Sequence, residues 1–370
     1  MRWSLLPLLD TGLGRVRVSR PALRELATRT WEIAPPERIV PPPAFFLPGQ
    51  LERVISAFEY EPLERQIITL RGGTPGTHSA TRGFLLRDVV LLDGVLYKRL
   101  ASEHIAPRQH RMPPRLRIEK EIERGAMYSS AQATRWFGQW LMDDIATYPL
   151  AEAEGTVVAT DYPVGRHIPQ YESWLGMKPR REGAVYFREL VLFDDRGQNA
   201  HKRARYQMLR DRAYSHLSEP IHPHPGVFVL RGLTGERRVM VNEMELAEQL
   251  SRERGFRILD PSKVDVPEIV RTMAGARAVV GIESSGIMHG LFLLQPGGAV
   301  LTLQPPRRFY NVMKDVVDRD QQHYGFVVGA PHGDDFYVEP DHVLRTLDLF
   351  PQPPPTERRS EPSMGPRAAV

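Results

Sequence analysis

The residues best suited to chemistry in this chain cluster at a small turn, Gly281-Ile282-Glu283-Ser284-Ser285-Gly286, and at a group of arginines upstream of it. Ser284, Ser285 and Gly286 are small enough to let a ligand reach the backbone. Their amides, unpaired where a helix begins, can bind a phosphate with help from the serine hydroxyls. An ordinary strand-to-helix turn capped by serine has the same composition. Arg231, Arg237 and Arg238 carry guanidinium forks that match phosphate oxygens. A single loop arginine is more often solvated, so the case for Arg231 and Arg238 is that they fall at the same sheet edge as the turn. Arg307 and Arg308 are weaker candidates. Asp318-Arg319-Asp320 has the acid-x-acid spacing of some metal sites but lies in a polar run and reads as a surface segment. His222-Pro223-His224 reads as a linker, and His332-Gly333-Asp334-Asp335 as a turn. Without a third ligand at suitable spacing, no metal is expected.

The elements that must position these residues are short and regular. Residues 227–230, 256–259, 278–282 and 299–303 are apolar runs bounded by Gly, Pro or Asp, with segments of helical period between them. That alternation predicts a parallel sheet wrapped by helices, which binds ligands at the carboxyl ends of its strands. The run 278–282 does not alternate, as expected of a strand buried on both faces. Asn242, with Glu245 three residues on, predicts a capped helix whose apolar stripe is Met244, Leu246, Ala247 and Leu250. Gly255 closes that helix as a left-handed cap, and Pro267 opens the next. The Glu-Ser-Ser-Gly turn opens a helix over 287–294.

The chain has 370 residues, 41% hydrophobic and 25% charged, a net charge of +4 and no cysteine. This is a soluble globular composition with room for two domains. The absence of cysteine excludes disulfides, thiolate zinc sites and thiol catalysis. Lys and Arg form no long run, so nucleic acid is not indicated as a partner. The Leu-rich start is too short for a membrane span and lacks a signal-peptide pattern. The expected location is the cytoplasm, with peripheral attachment to the inner face of a membrane as an option. Residues 1–49 read as an N-terminal arm, Pro-rich over 33–49. A first α/β domain follows over 50–217, with strands expected at 66–70, 83–92, 95–99, 156–159 and 185–193 and helices at 131–148 and 199–217. The Pro-rich segment 218–226 marks a boundary. The second domain spans 226–329, residues 330–350 return to pack on the first domain, and 351–370 reads as a disordered tail.

Three stretches together resemble glycosyltransferase family 61. They are Val229-Leu230-Arg231 with Arg237-Arg238-Val239 and Asn242-Glu243-Met244-Glu245-Leu246; Val279-Val280-Gly281 with Gly286, Leu291-Phe292 and Pro296-Gly297; and Gly138-Gln139-Trp140-Leu141-Met142-Asp143. The resemblance covers about residues 80–330 in order and spacing. The chain departs from the family's pattern at Glu283-Ser284-Ser285, at His289, at Gln139 and at Thr302, where the family commonly has His-Gly-Ala, Asn, His and an acid.

The resemblance implies a GT-B-like α/β fold, two Rossmann-like domains facing a cleft. The activity it implies is metal-independent, inverting transfer of a sugar from a nucleotide-diphosphate sugar to a saccharide acceptor, in capsular or surface polysaccharide biosynthesis. The donor is a substrate, and no cofactor is implied. Such a transfer needs a base for the acceptor hydroxyl and positive charge or amides for the departing diphosphate. Asp143 matches the family's acidic position and is the first candidate base; Glu283 is the second, or it takes sugar or ribose hydroxyls. Arg231, Arg238, Asn242, Ser284, Ser285, Gly286 and His289 are expected at the donor. Arg135, Gln139 and Asp143, at helical spacing beside Trp140, are expected to form an acceptor wall. A catalytically inactive nucleotide- or sugar-binding relative is the first alternative. A dinucleotide-dependent oxidoreductase is weaker, because no G-x-G-x-x-G loop follows a first strand.

Overall fold

A computed structural model of the chain describes residues 2–15, 20–109, 116–118, 120–233 and 236–351. The segment 352–370, expected to be disordered, lies outside them. Among the described residues two sheets dominate. The first contains β1 (Arg29–Ala34), β2 (Thr81–Leu92), β3 (Val95–Lys98), β4 (Ala101–His104), β5 (Lys120–Met127), β6 (Thr156–Thr160), β7 (Arg180–Glu182) and β8 (Ala184–Asp194). Its order is β7-β6-β5-β8-β2-β3-β4, with β1 also on β2. The four strands from β7 to β8 are mutually parallel, whereas β2, β3 and β4 form an antiparallel meander joined to β8. The first sheet is therefore mixed, a parallel half extended by an antiparallel meander, where the resemblance implies a Rossmann-like domain.

The second sheet follows the expected pattern. Strands β9 (Val227–Val229), β10 (Arg257–Leu259), β11 (Ala278–Ile282), β12 (Ala299–Gln304) and β13 (His323–Val328) run parallel in the order β10-β9-β11-β12-β13. All five residues of β11 are buried. The chain reverses its direction of winding between β9 and β11. In an open parallel sheet this switch point leaves a crevice at the strands' carboxyl ends. Arg231 and Glu283 follow those two strands directly.

Local chemistry explains the ends of two helices beside this sheet. Asp265 caps the helix Val266–Met273 by accepting from the Glu268 amide, and Pro267 sits in its first turn. Gly255 closes the helix Glu243–Arg254 at φ 69°. Asn242, by contrast, makes no side-chain cap there. It donates to the Val338 carbonyl and accepts from the Val338 amide. Residues 330–350 thus pack on the second sheet, where Val338, Val343 and Phe350 share a core with Leu246, Val280 and Leu301. Among the described residues, their hydrogen-bonded tie to the expected first domain is a single side-chain contact, Gln50 Nε2 to His342 Nδ1 at 3.4 Å.

Two stretches differ from expectation in secondary structure. Residues 66–70 belong to a helix, Leu63–Arg71, whose buried Gln66 and Leu70 lie one turn apart. The stretch 131–148 is not one helix. Ala131–Arg135 ends at Trp136, which is extended (φ −127°, ψ 116°). A short turn over Phe137–Gln139, a wide π turn over Trp140–Asp144 and the helix Ile145–Glu154 follow. One apolar core runs from Ala126, Val191 and Phe193 on the first sheet through Trp140, Ile145, Tyr206 and Leu209 to Val279, Phe292 and Val300 on the second side. Among the described residues no helix is long and apolar enough to cross a membrane.

Candidate active site

The crevice at the switch point opens into a cleft of about 650 Å³. The second unit contributes Arg231, Arg238, the Glu283–Gly286 turn, His289, Arg308 and Tyr310; the first contributes Trp136, Gly138, Gln139 and His167; and the N-terminal segment contributes Phe58 and Tyr60. The two units nearly touch at Gly138, where a Cβ would lie 3.1 Å from Ser285 Oγ.

Charge in the cleft centres on Glu283. Arg238 donates to its Oε2 at 2.6 Å and to its carbonyl at 2.9 Å, and Arg308 donates to the same Oε2 at 2.9 Å. The Glu283 and Arg238 side chains are both largely buried. The Arg238 Nε is buried with no hydrogen-bond partner among the described residues. Burial pushes the Arg238 guanidinium below its ordinary value, against the pull of Glu283. Arg231 is placed differently. Its guanidinium donates to the backbone carbonyls of Gly232, Glu236 and Arg238, so it shapes the loop that carries Arg238. Ser284 turns its hydroxyl back to the Ile282 carbonyl at 3.0 Å. His289 is buried against Tyr171, whose hydroxyl lies 2.9 Å from its Nδ1. Burial holds this imidazole well below its ordinary pKa, hence neutral.

A second cavity of about 550 Å³ adjoins the cleft and shares Gln139, Met142 and Val312 with it. Asp143 and Asp144 line it, with His78, Asp195 and Gln198. The Asp143 Oδ1 accepts from buried Lys202 at 2.6 Å and from Gln198 at 3.0 Å. Oδ2 receives no hydrogen bond from the described residues. Asp144 is fully buried and accepts from the Ser130 amide at 2.6 Å. Burial pushes its carboxyl up to about 8.

Several sequence expectations are corrected here. Asn242 lines neither cavity; it anchors residue 338. Trp140 is core, donating to the Tyr128 hydroxyl, and Arg135 is exposed and stacked on Trp136. The break at Trp136 separates Arg135 from Gln139 and Asp143, so the three form no common stripe. Asp318-Arg319-Asp320 is not a surface segment: Arg319 and Asp320 are buried and paired at 2.7 Å. Phe58, Tyr60 and Asp144 also line these cavities, with little in the local sequence to single them out. Asp144 could have been flagged by its place beside Asp143. Nothing local marks Phe58 and Tyr60, which reach the cleft through long-range packing. Among the described residues, no group of three or more His, Asp or Glu side chains is arranged to hold a metal ion.

The glycosyltransferase 61 family model matches residues 84–301, which is more than half of the chain and includes both Gln139–Asp143 and the Glu283–Gly286 turn. The chain belongs to glycosyltransferase family 61. As a member it is a glycosyltransferase of mixed α/β fold. Among solved structures it is similar to the bacterial iron-containing dodecameric glycosyltransferase TibC from enterotoxigenic E. coli H10407. That match has 14% identity, a TM-score of 0.29, and covers 80% of this chain and 86% of that one. A dodecameric iron-containing heptosyltransferase TibC in complex with ADP-D-beta-D-heptose matches at 12% identity and a TM-score of 0.26, covering 69% and 81%. Superpositions this loose carry no residue from one chain to the other. Among curated protein sequences there is no significant match.

Proposed function

We propose that this family 61 glycosyltransferase is a GT-B-like, metal-independent, inverting enzyme that moves a sugar from a nucleotide-diphosphate sugar to a saccharide acceptor, in capsular or surface polysaccharide assembly in the cytoplasm. The observation that carries the reading is the pair of adjoining cavities joined at Gln139: one holds Arg238 and Arg308, the other holds Asp143. The arginines suit a diphosphate, because charge-assisted bonds from guanidinium to phosphate are strong and geometrically matched. The unpartnered Arg238 Nε adds a buried donor that an anion would satisfy. In the transfer, Asp143 Oδ2 takes the proton of an acceptor hydroxyl. The hydroxyl oxygen bonds to the anomeric carbon from the face opposite the diphosphate. The bond from that carbon to the diphosphate oxygen breaks, and the leaving group keeps the electron pair while the arginines stabilise its charge.

Isothermal titration against a panel of nucleoside diphosphates tests the donor half, and absence of binding to all of them would overturn it. The acceptor half is tested by Asp143→Asn, which is expected to abolish turnover while donor affinity stays within about twofold. Retained turnover would remove Asp143 as the base. The Glu283 pairing favours one second reading, a relative that binds the nucleotide without transferring sugar. Nucleotide binding with neither transfer nor donor hydrolysis would identify it.

A further inference from the structure

The segment 54–60 crosses from the first unit and is tied to the second. The Ile55 amide donates to the Pro306 carbonyl at 2.7 Å, the Phe58 amide to the Phe309 carbonyl at 2.9 Å, and the Phe309 amide to the Ser56 carbonyl at 3.0 Å. The Ser56 hydroxyl donates to the Arg307 carbonyl at 2.6 Å. This strap brings two aromatic rings to the mouth of the arginine cleft. The Arg308 guanidinium lies 3.8 Å from the centroid of the Phe58 ring. Tyr60 and Tyr310 stand edge-on to Phe58, at 4.7 Å and 5.3 Å between centroids. Tyr60 is 61% exposed, although it borders a largely apolar cleft. The ring is therefore mostly exposed while it packs T-shaped against Phe58.

We infer that Tyr60 and the Arg308 guanidinium, backed by Phe58, form a stacking platform for the nucleobase of the donor, so that the N-terminal strap is part of the donor site. This rests on the proposed use of a nucleotide-diphosphate sugar. Three features of the cleft mouth favour a planar ring attached to an anion. A largely exposed tyrosine ring and a guanidinium lying over Phe58 offer π surfaces, and bases stack on both aromatic rings and arginine planes. The same Arg308 donates to Glu283 beside Arg238, which puts the platform next to the proposed diphosphate site. The strap's backbone bonds at Ile55, Ser56 and Phe58 fix the segment that carries these rings before any ligand arrives, which reduces the entropy lost on binding.

The test compares ligands that share the diphosphate and differ in the base. The intact chain is titrated with ADP, GDP and UDP, and with inorganic pyrophosphate. The wild type is expected to bind at least one nucleoside diphosphate about tenfold or more tighter than pyrophosphate. Tyr60→Ala is expected to weaken that nucleoside diphosphate by about five- to a hundredfold and to leave pyrophosphate unchanged; Phe58→Ala, which also removes the ring under Arg308, is expected to weaken the nucleoside diphosphate at least as much, whereas Tyr60→Phe retains wild-type affinity. Tyr60 is exposed enough that its truncation does not threaten folding, so the result does not hang on Phe58 alone. Equal affinities for pyrophosphate and every nucleoside diphosphate, or Tyr60→Ala losses that are nil or equal for both ligand types, overturn the platform and leave the arginine site standing. Failure of the wild type to bind any of the four ligands overturns the donor reading and the platform with it.

Discussion

At the scale of single residues, the site is defined by how its charges are already satisfied. Glu283 holds Arg238 and Arg308 on one oxygen, so an incoming diphosphate competes with a carboxylate for the same donors. Glu283→Gln removes that competing charge. It is expected to tighten nucleoside diphosphate binding by about 1.4 kcal/mol, near tenfold. Arg238→Ala is expected to weaken it by about 1.5–3 kcal/mol, the worth of a charge-assisted bond. Both are read by titration; weaker binding in Glu283→Gln would instead assign the carboxylate to ligand hydroxyls. Asp144 gives a prediction in pH. Its carboxyl titrates near 8 in the fold against an ordinary 3.8, because burial penalises the charged form. Between about pH 4 and about pH 8 the unfolded chain has released a proton that the folded one keeps. The group's contribution to stability is therefore complete below about pH 4, declines as pH rises, and levels off above about 8, by at most about 1.4 kcal/mol per pH unit. Asp144→Asn keeps an acceptor for the Ser130 amide and cannot ionise. In urea denaturation its stability relative to wild type should rise from about pH 5 to about pH 8. A difference independent of pH would show that Asp144 is not held protonated.

At the scale of elements, the second sheet was legible because each strand is a short apolar run between Gly, Pro or Asp, and the helices carry their own start and stop signals. Asp265, Pro267 and Gly255 act locally, so their effect can be read locally. Asn242 shows where that fails: it has the composition of a cap, but tertiary structure recruits both its amide atoms to residue 338. The stretch 131–148 reads as one helix, but Trp136 is extended and Gly138 follows it where the chain meets Ser285, and the helix is interrupted there. The Glu283 turn was legible as a ligand edge from the strand before it, whereas its partner Arg308 and the aromatic strap were not, since their approach is set by distant packing. Gly138 lies at this junction. A side chain there meets Ser285 at 3.1 Å and both Met288 Cγ and Ser285 Cα at 3.3 Å. Gly138→Val must therefore move the turn segment away from the Glu283–Gly286 loop. Misplacement of reacting groups by about 1 Å can cost about 10²-fold in rate. Gly138→Val is expected to lose turnover on that order while thermal unfolding shifts by only a few degrees, roughly the effect of 1 kcal/mol. An unchanged rate would mean that the closeness of Gly138 and Ser285 does not set the geometry of transfer.

At the scale of the whole molecule, the cleft lies between units that share one core. Units joined by small polar interfaces move relative to one another by default, and a large apolar interface suppresses that motion. Here the helix Ala200–Ser215 lies at the junction: Tyr206 and Leu209 belong to the shared core, and Arg210 carries the polar tie. Arg210 is buried; its Nε donates to the Phe292 carbonyl at 2.6 Å and its Nη2 to Asp320 at 2.8 Å. Asp320 is bound from its other oxygen by Arg319, which also stacks 4.0 Å from the Tyr206 ring. Such an arrangement predicts a preformed cleft and cooperative unfolding of both sheets. Urea denaturation followed by tryptophan fluorescence, which reports chiefly on the first unit, and by far-ultraviolet circular dichroism should give coincident single transitions. Arg210→Ala leaves the Phe292 carbonyl without this donor and Asp320 with one guanidinium fewer in a dry setting. Breaking a buried pair from one side costs about 3–5 kcal/mol, so the variant's midpoint should fall by that equivalent with both probes still coincident. Arg210→Met, which restores apolar volume but not the charge, should recover only part of the loss. Two separated transitions in the wild type would show that the units unfold independently, and the cleft would then have to be treated as hinged, with donor and acceptor sides brought together by ligand.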